Sequence, residues 1–142
     1  MSYNIEQANS GFLSLTAAGL AAGTNTGTFK TTNTLAFTSN GVFKSKAATD
    51  NLTFSTSTAL AANQACLFGV WITAAGAVST TQGPIQASGD PCPVPSQVTA
   101  NTTLVGLLKV VTTAVFTPGT TALGTGNTVT YFDCMDMPGT AQ

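Results

Sequence analysis

The sequence predicts an all-β protein, an antiparallel β-sandwich or barrel of jelly-roll-like type with an extended N-terminal arm. Three observations carry that expectation. Charged residues are only 6% of the 142, against about 25% in an ordinary soluble domain. Their place is taken by 27 threonines and 20 alanines, and threonine, being β-branched, coats a strand face without charge. Finally, short alternating apolar runs recur between glycine, proline and asparagine turns, with no long helical period. Hydrophobic residues at 43% suffice for one core, so a single body of residues 28–142 is expected behind an arm of residues 1–27.

Within the arm, Phe12-Leu13-Ser14-Leu15-Thr16 alternates as one strand, whereas Ala17 to Ala22 fits a strand or a helical turn equally. The body opens with the clearest local signal. Leu35-Ala36-Phe37-Thr38 and Val42 to Lys46 flank Ser39-Asn40-Gly41, and Asn-Gly supplies the positive φ angles of a two-residue hairpin turn. Leu52-Thr53-Phe54-Ser55-Thr56 alternates as a half-buried strand. Cys66 to Thr73 and Leu104 to Thr112 are apolar on both faces, as central strands covered twice would be. Val78 to Thr81 and Val129 to Asp133 complete the strands. Between them, Pro84, Pro91, Pro93 and Pro95 remove the amide donors a central strand needs and predict an exposed, stiff loop.

Two strands with spare apolar faces need a cover. The core of a closed barrel is one answer and a subunit interface the other; the low charge favours the interface, because like-charge repulsion is what normally keeps surfaces apart. Phe68, Val70, Ile72, Leu104, Leu107 and Val110 are the expected oligomer contacts, and Tyr3, Ile5, Phe12, Leu13, Leu15 and Leu20 the apolar residues with which the arm would reach a partner.

The chain has no histidine and no arginine, which removes Ser/His/Asp and Cys/His catalysis, histidine-ligated zinc and any proton shuttle near neutrality. No catalytic residue, cofactor or metal site is expected. A net charge of −1 with four scattered lysines cannot neutralise a run of phosphates, so nucleic acid is not an expected partner. Neither is a membrane: no apolar run is long enough to span one. The opening residues carry Glu6 and no base, unlike a secretory signal. Asp133 and Asp136 with Asp90 fall short of the oxygen ligands calcium wants. Gly119 to Gly126 lacks the residues that make a phosphate loop and is a turn. Cys66, Cys92 and Cys134 are expected as three reduced thiols, two of them in core strands. Trp71 with Tyr131 would suit a sugar platform, although Trp71 lies in a doubly apolar strand. Lys44 and Lys46 share one hairpin face, where they guard an edge or meet an acidic partner.

Tyr3-Asn4-Ile5-Glu6 with Ser10-Gly11-Phe12, the hairpin Thr34 to Phe43, Ala47-Ala48-Thr49-Asp50-Asn51, and Phe68 to Ile72 before Ala75-Gly76-Ala77-Val78 resemble small virion proteins of tailed bacteriophages. Within that group the pattern is most similar to capsid decoration, or cement, proteins. The resemblance implies a non-enzymatic homotrimer assembled in the host cytoplasm. It would sit at local threefold axes on the outer surface of the capsid, bind the major capsid protein and stabilise the head. A tail-fibre, baseplate or head-fibre component is the structural alternative; a carbohydrate-binding module is the alternative of another class.

Overall fold

The computed structural model describes residues 11–97 and 99–134, and these are all-β, without a helix. Nine strands follow in order: β1 (Leu20–Ala22), β2 (Phe29–Thr31), β3 (Leu35–Ser39), β4 (Val42–Lys46), β5 (Gln64–Thr73), β6 (Val78–Gln82), β7 (Gln86–Ala87), β8 (Thr102–Thr112) and β9 (Asn127–Asp133). The long strands form one antiparallel sheet in the order β6-β5-β8-β9, with β7 also paired to β5. β1 pairs with β2 and β3 with β4, each antiparallel.

The hairpin forms as the Asn-Gly signal requires. Asn40 and Gly41 take φ of 50° and 74°, the left-handed values that let a two-residue turn follow the strand twist, and Ser39 faces Val42 across it. The doubly apolar segments become β5 and β8, paired from Ala65↔Val111 to Thr73↔Thr102, with a register shift between Val70 and Trp71.

One face of this sheet presents Cys66, Phe68, Val70, Ile72, Val105, Leu108 and Val110 to the core, with Val129 and Tyr131 packed at its side. Ala18, Leu20, Phe29, Leu35, Phe37, Leu60 and Phe116 complete the same cluster from the small hairpins and loops. Phe54 is the hub, its ring meeting Phe29 at 5.3 Å, Phe68 at 5.1 Å and Phe116 at 6.4 Å, all edge to face. Two threonines fasten the layer from inside. Thr103 is fully buried and its hydroxyl donates to Thr38 O at 2.9 Å; that of Thr112 donates to Ala61 O at 2.6 Å and accepts from the Gln64 amide.

Two expectations change here. The alternation at 52–56 survives in burial, but Leu52 alone makes a backbone bridge, to Phe29. Its neighbours are held by side chains: the Ser55 amide donates to Thr80 Oγ1 and the Thr80 amide to Ser55 Oγ, at 2.9 and 3.1 Å, so hydroxyls stand in for the ladder. The second change concerns the boundary drawn at Gly27. Residues 11–22 are bound into the body, with the Leu15 amide donating to Ala36 O and the Thr38 amide to Leu13 O, both at 2.8 Å. Asp133 secures the same segment, its Oδ1 accepting from the Gly19 and Leu20 amides.

Leu20 enters the core over Gly106. A Cβ at Gly106 would collide with Leu20 Cδ1 and stand 2.9 Å from Phe132 O. Gly106→Ala is therefore expected to cost about 2 kcal/mol through overpacking, and thermal melts should show a smaller added cost when the same change is made in a Leu20→Ala background.

Candidate interaction surface

Histidine is absent and charged side chains are sparse, so the surfaces carry the functional question. The large sheet has a second face, turned away from the core. Its cross-strand rows run Ser79–Trp71–Leu104, Thr81–Gly69–Leu107–Phe132 and Leu67–Lys109–Thr130. The β5 half is roofed by the proline-rich loop: a Cβ on Gly69 would lie 3.1 Å from Pro95 Cγ, and one on Gly83 2.9 Å from Pro93 O. Glycine is what lets that loop settle on the strand. The β8–β9 half is more open. Leu104, Leu107 and Val111 are half-buried and Phe132 is 44% exposed, with the Lys109 stem between them.

These placements correct the expected interface. Phe68, Val70, Ile72 and Val110 are fully buried by the chain's own second layer, which leaves them nothing to offer another subunit. Leu104 and Leu107 do lie on the open half-face. Among the residues expected to reach outward, Leu20 is buried in the core and Phe12, Leu13 and Leu15 are half-buried against the hairpin, while Tyr3 and Ile5 lie outside the described residues. Five exposed apolar residues were not singled out by sequence: Val42 at 54%, Phe43 at 66%, Val94, Val115 and Phe132. A signal for the last existed, since adjacent Tyr131 and Phe132 in an extended strand must point to opposite faces.

The same rule separates the sugar-platform pair. Tyr131 packs with the core while Trp71 lies on the other face beside Pro95, so the two rings build no common platform. Trp71 Nε1 is buried without a hydrogen-bond partner among the described atoms. Next to β6 runs an open cleft of about 520 Å³ lined by Ser55, Thr56, Ser57, Thr58, Ser79, Thr80, Thr81, Gln82 and Thr99. Its framework is self-satisfied, for Gln82 accepts from the Thr58 amide at 2.7 Å and donates to Thr58 O at 2.8 Å. No group of three or more acidic or cysteine side chains comes together as a metal centre among the described residues, and these include no helix long and apolar enough to cross a membrane. A second loop is tied by Asp50, which accepts from the Thr24 amide and hydroxyl; these bonds hold its carboxyl below the usual range.

Cys66, Cys92 and Cys134 form no disulfide. Cys66 lies in β5, but Cys92 is in the proline-rich loop and Cys134 one residue past β9, so one thiol and not the expected two sits in a core strand. Burial pushes the Cys66 thiol up to about 11, partly offset by the Gln82 side chain donating to its sulfur. At pH 8 a thiol reagent is expected to modify half-buried Cys92 while sparing Cys66 until the chain unfolds. Because the unfolded thiol ionises near 9 and the native one near 11, the unfolded state loses its proton first. The melting temperature therefore falls as pH rises through that window, and Cys66→Ala removes this component of the fall.

Comparison with protein-family models, curated proteins and solved structures finds no match to this chain.

Proposed function

We propose that this chain is a decoration protein of a tailed-bacteriophage capsid, a non-enzymatic homo-oligomer that binds the assembled head and stabilises it. In this reading the molecule is a β-sandwich, the small hairpins and loops forming the layer opposite the large sheet. The observation that carries the reading is the open apolar half-face of Leu104, Leu107, Val111 and Phe132 on a chain with almost no charge to keep its copies apart. That face is the proposed contact between subunits, taking the role first assigned to Phe68, Val70, Ile72 and Val110. The sequence resemblance supplies the threefold symmetry, the partner, which is the major capsid protein, and the location on the outer surface of the virion.

Several weak contacts held on one rigid oligomer raise the effective concentration of each, so attachment is tight with little energy per subunit. A ligand of the assembled shell alone stabilises that shell by mass action. The test is native mass by sedimentation, followed by mixing with undecorated heads. The expected result is an oligomer that co-sediments with heads and raises their melting temperature, and a Leu107→Ser/Phe132→Ser double variant that is a folded monomer. A wild-type monomer with no affinity for heads overturns the reading.

A further inference from the structure

We propose that the free edge of β4 is a docking site for an extended acidic segment of another protein, which adds to the β3–β4 hairpin as a third strand on that side. This surface is separate from the sheet face invoked above and does not depend on the chain being a capsid protein.

The hairpin geometry fixes what the edge offers. With a two-residue turn, Ser39 and Val42 form the first hydrogen-bonded pair, and the bonded pairs then recur at Phe37↔Lys44 and Leu35↔Lys46. The alternate residues point their main-chain groups away from the hairpin. On β3 these are Ala36 and Thr38: the Leu15 amide donates to the Ala36 carbonyl, Leu13 O accepts from the Thr38 amide, and Thr16 Oγ1 and the Thr103 hydroxyl take up the other two groups. On β4 they are Phe43 and Ser45, whose outward amides and carbonyls have no backbone partner among the described residues. Val42, Phe43, Lys44 and Ser45 are all exposed.

Charge then selects the occupant. Lys44 and Lys46 are half of the chain's four basic residues and share one face of the strand. The carboxylates of Asp50 and Asp133 are engaged elsewhere, by Thr24 and by the Gly19 and Leu20 amides. A second copy of β4 is a poor partner: the two-fold antiparallel register that pairs all five residues sets Lys44 against Lys44, and like charges directly opposed are destabilising. The lysines thus repel the strand's own kind, the usual protection of an edge. An incoming strand with carboxylates two residues apart places them opposite Lys44 and Lys46. Apolar residues at its alternate positions cover Phe43, while main-chain bonds to Phe43 and Ser45 supply the pairing.

The test titrates the full chain, labelled for amide NMR, with a capped seven-residue peptide alternating glutamate and valine. Saturable shifts at Val42–Lys46 support the proposal, with affinity falling about fivefold in Lys44→Gln/Lys46→Gln, as two cross-strand ion pairs would give. A lysine-for-glutamate peptide and a peptide N-methylated on its edge-facing amides should both fail to bind. Equal binding of either control, shifts centred elsewhere, or a β4-mediated dimer that excludes the peptide overturns it. Lys44 is exposed and Lys46 half-buried, without an ion pair among the described residues, so the lysine variants should retain the wild-type melting temperature and loss of binding is not loss of fold.

Discussion

Phe68→Ala is expected to unfold a large share of the chain at 37 °C, costing about 3–5 kcal/mol, the usual range for deleting a buried ring. Such a loss is comparable to the whole stability of a marginal domain. The ring is fully buried and stacks edge to face on Phe54 at 5.1 Å, so its removal opens a void at the hub where Phe29 and Phe116 also converge. Chemical denaturation read by far-UV circular dichroism measures the change. The result also separates two roles for this residue. An interface residue would give a folded protein of lower native mass, whereas a core residue lowers stability at every protein concentration.

Deleting residues 1–25 is expected to destabilise the body severely rather than trim an appendage. The deletion takes away Leu20 and Ala18, both members of the core, and all of β1. It strips the β3 edge of its bonds to residues 13 and 15 and leaves the Asp133 carboxylate without the Gly19 and Leu20 amides. Fully buried Phe29 and Phe37 lose part of their cover, and exposing such rings costs about 1.5–3 kcal/mol each when complete. Expression of the truncated chain with native-state proteolysis is the measurement. A truncated chain as protease-resistant as the full one would mean that residues 11–25 do not contribute to the fold.

These two results turn on what alternation can and cannot reveal. The hairpin at 35–46 was legible because Asn40-Gly41 demands one backbone geometry, whatever surrounds it. β5 and β8 were legible as central strands because Ala65 to Ile72, and Leu104 to Val111 but for Lys109, are all apolar or small and leave little face for water. Their cover was not legible. Pro95 roofs Gly69 from a loop more than twenty residues away, a contact that no local period records. The threonines misled for a related reason: one hydroxyl serves equally as a solvated surface group or as a buried donor, and Thr103 and Thr112 are buried donors.

By itself the sequence determined an all-β chain with antiparallel pairing, the position of its sharpest turn and the absence of histidine and arginine chemistry, because these follow from composition and from rules acting over a few residues. Tertiary structure alone decided which apolar residues are core and which are surface. That choice depends on which distant segment lands on which face, and two faces of one strand with equal hydrophobicity carry no mark of which will be covered. Phe68 and Leu107 sit in equally greasy strands; the small hairpins close over the first, and the second is left on the open side of the sheet.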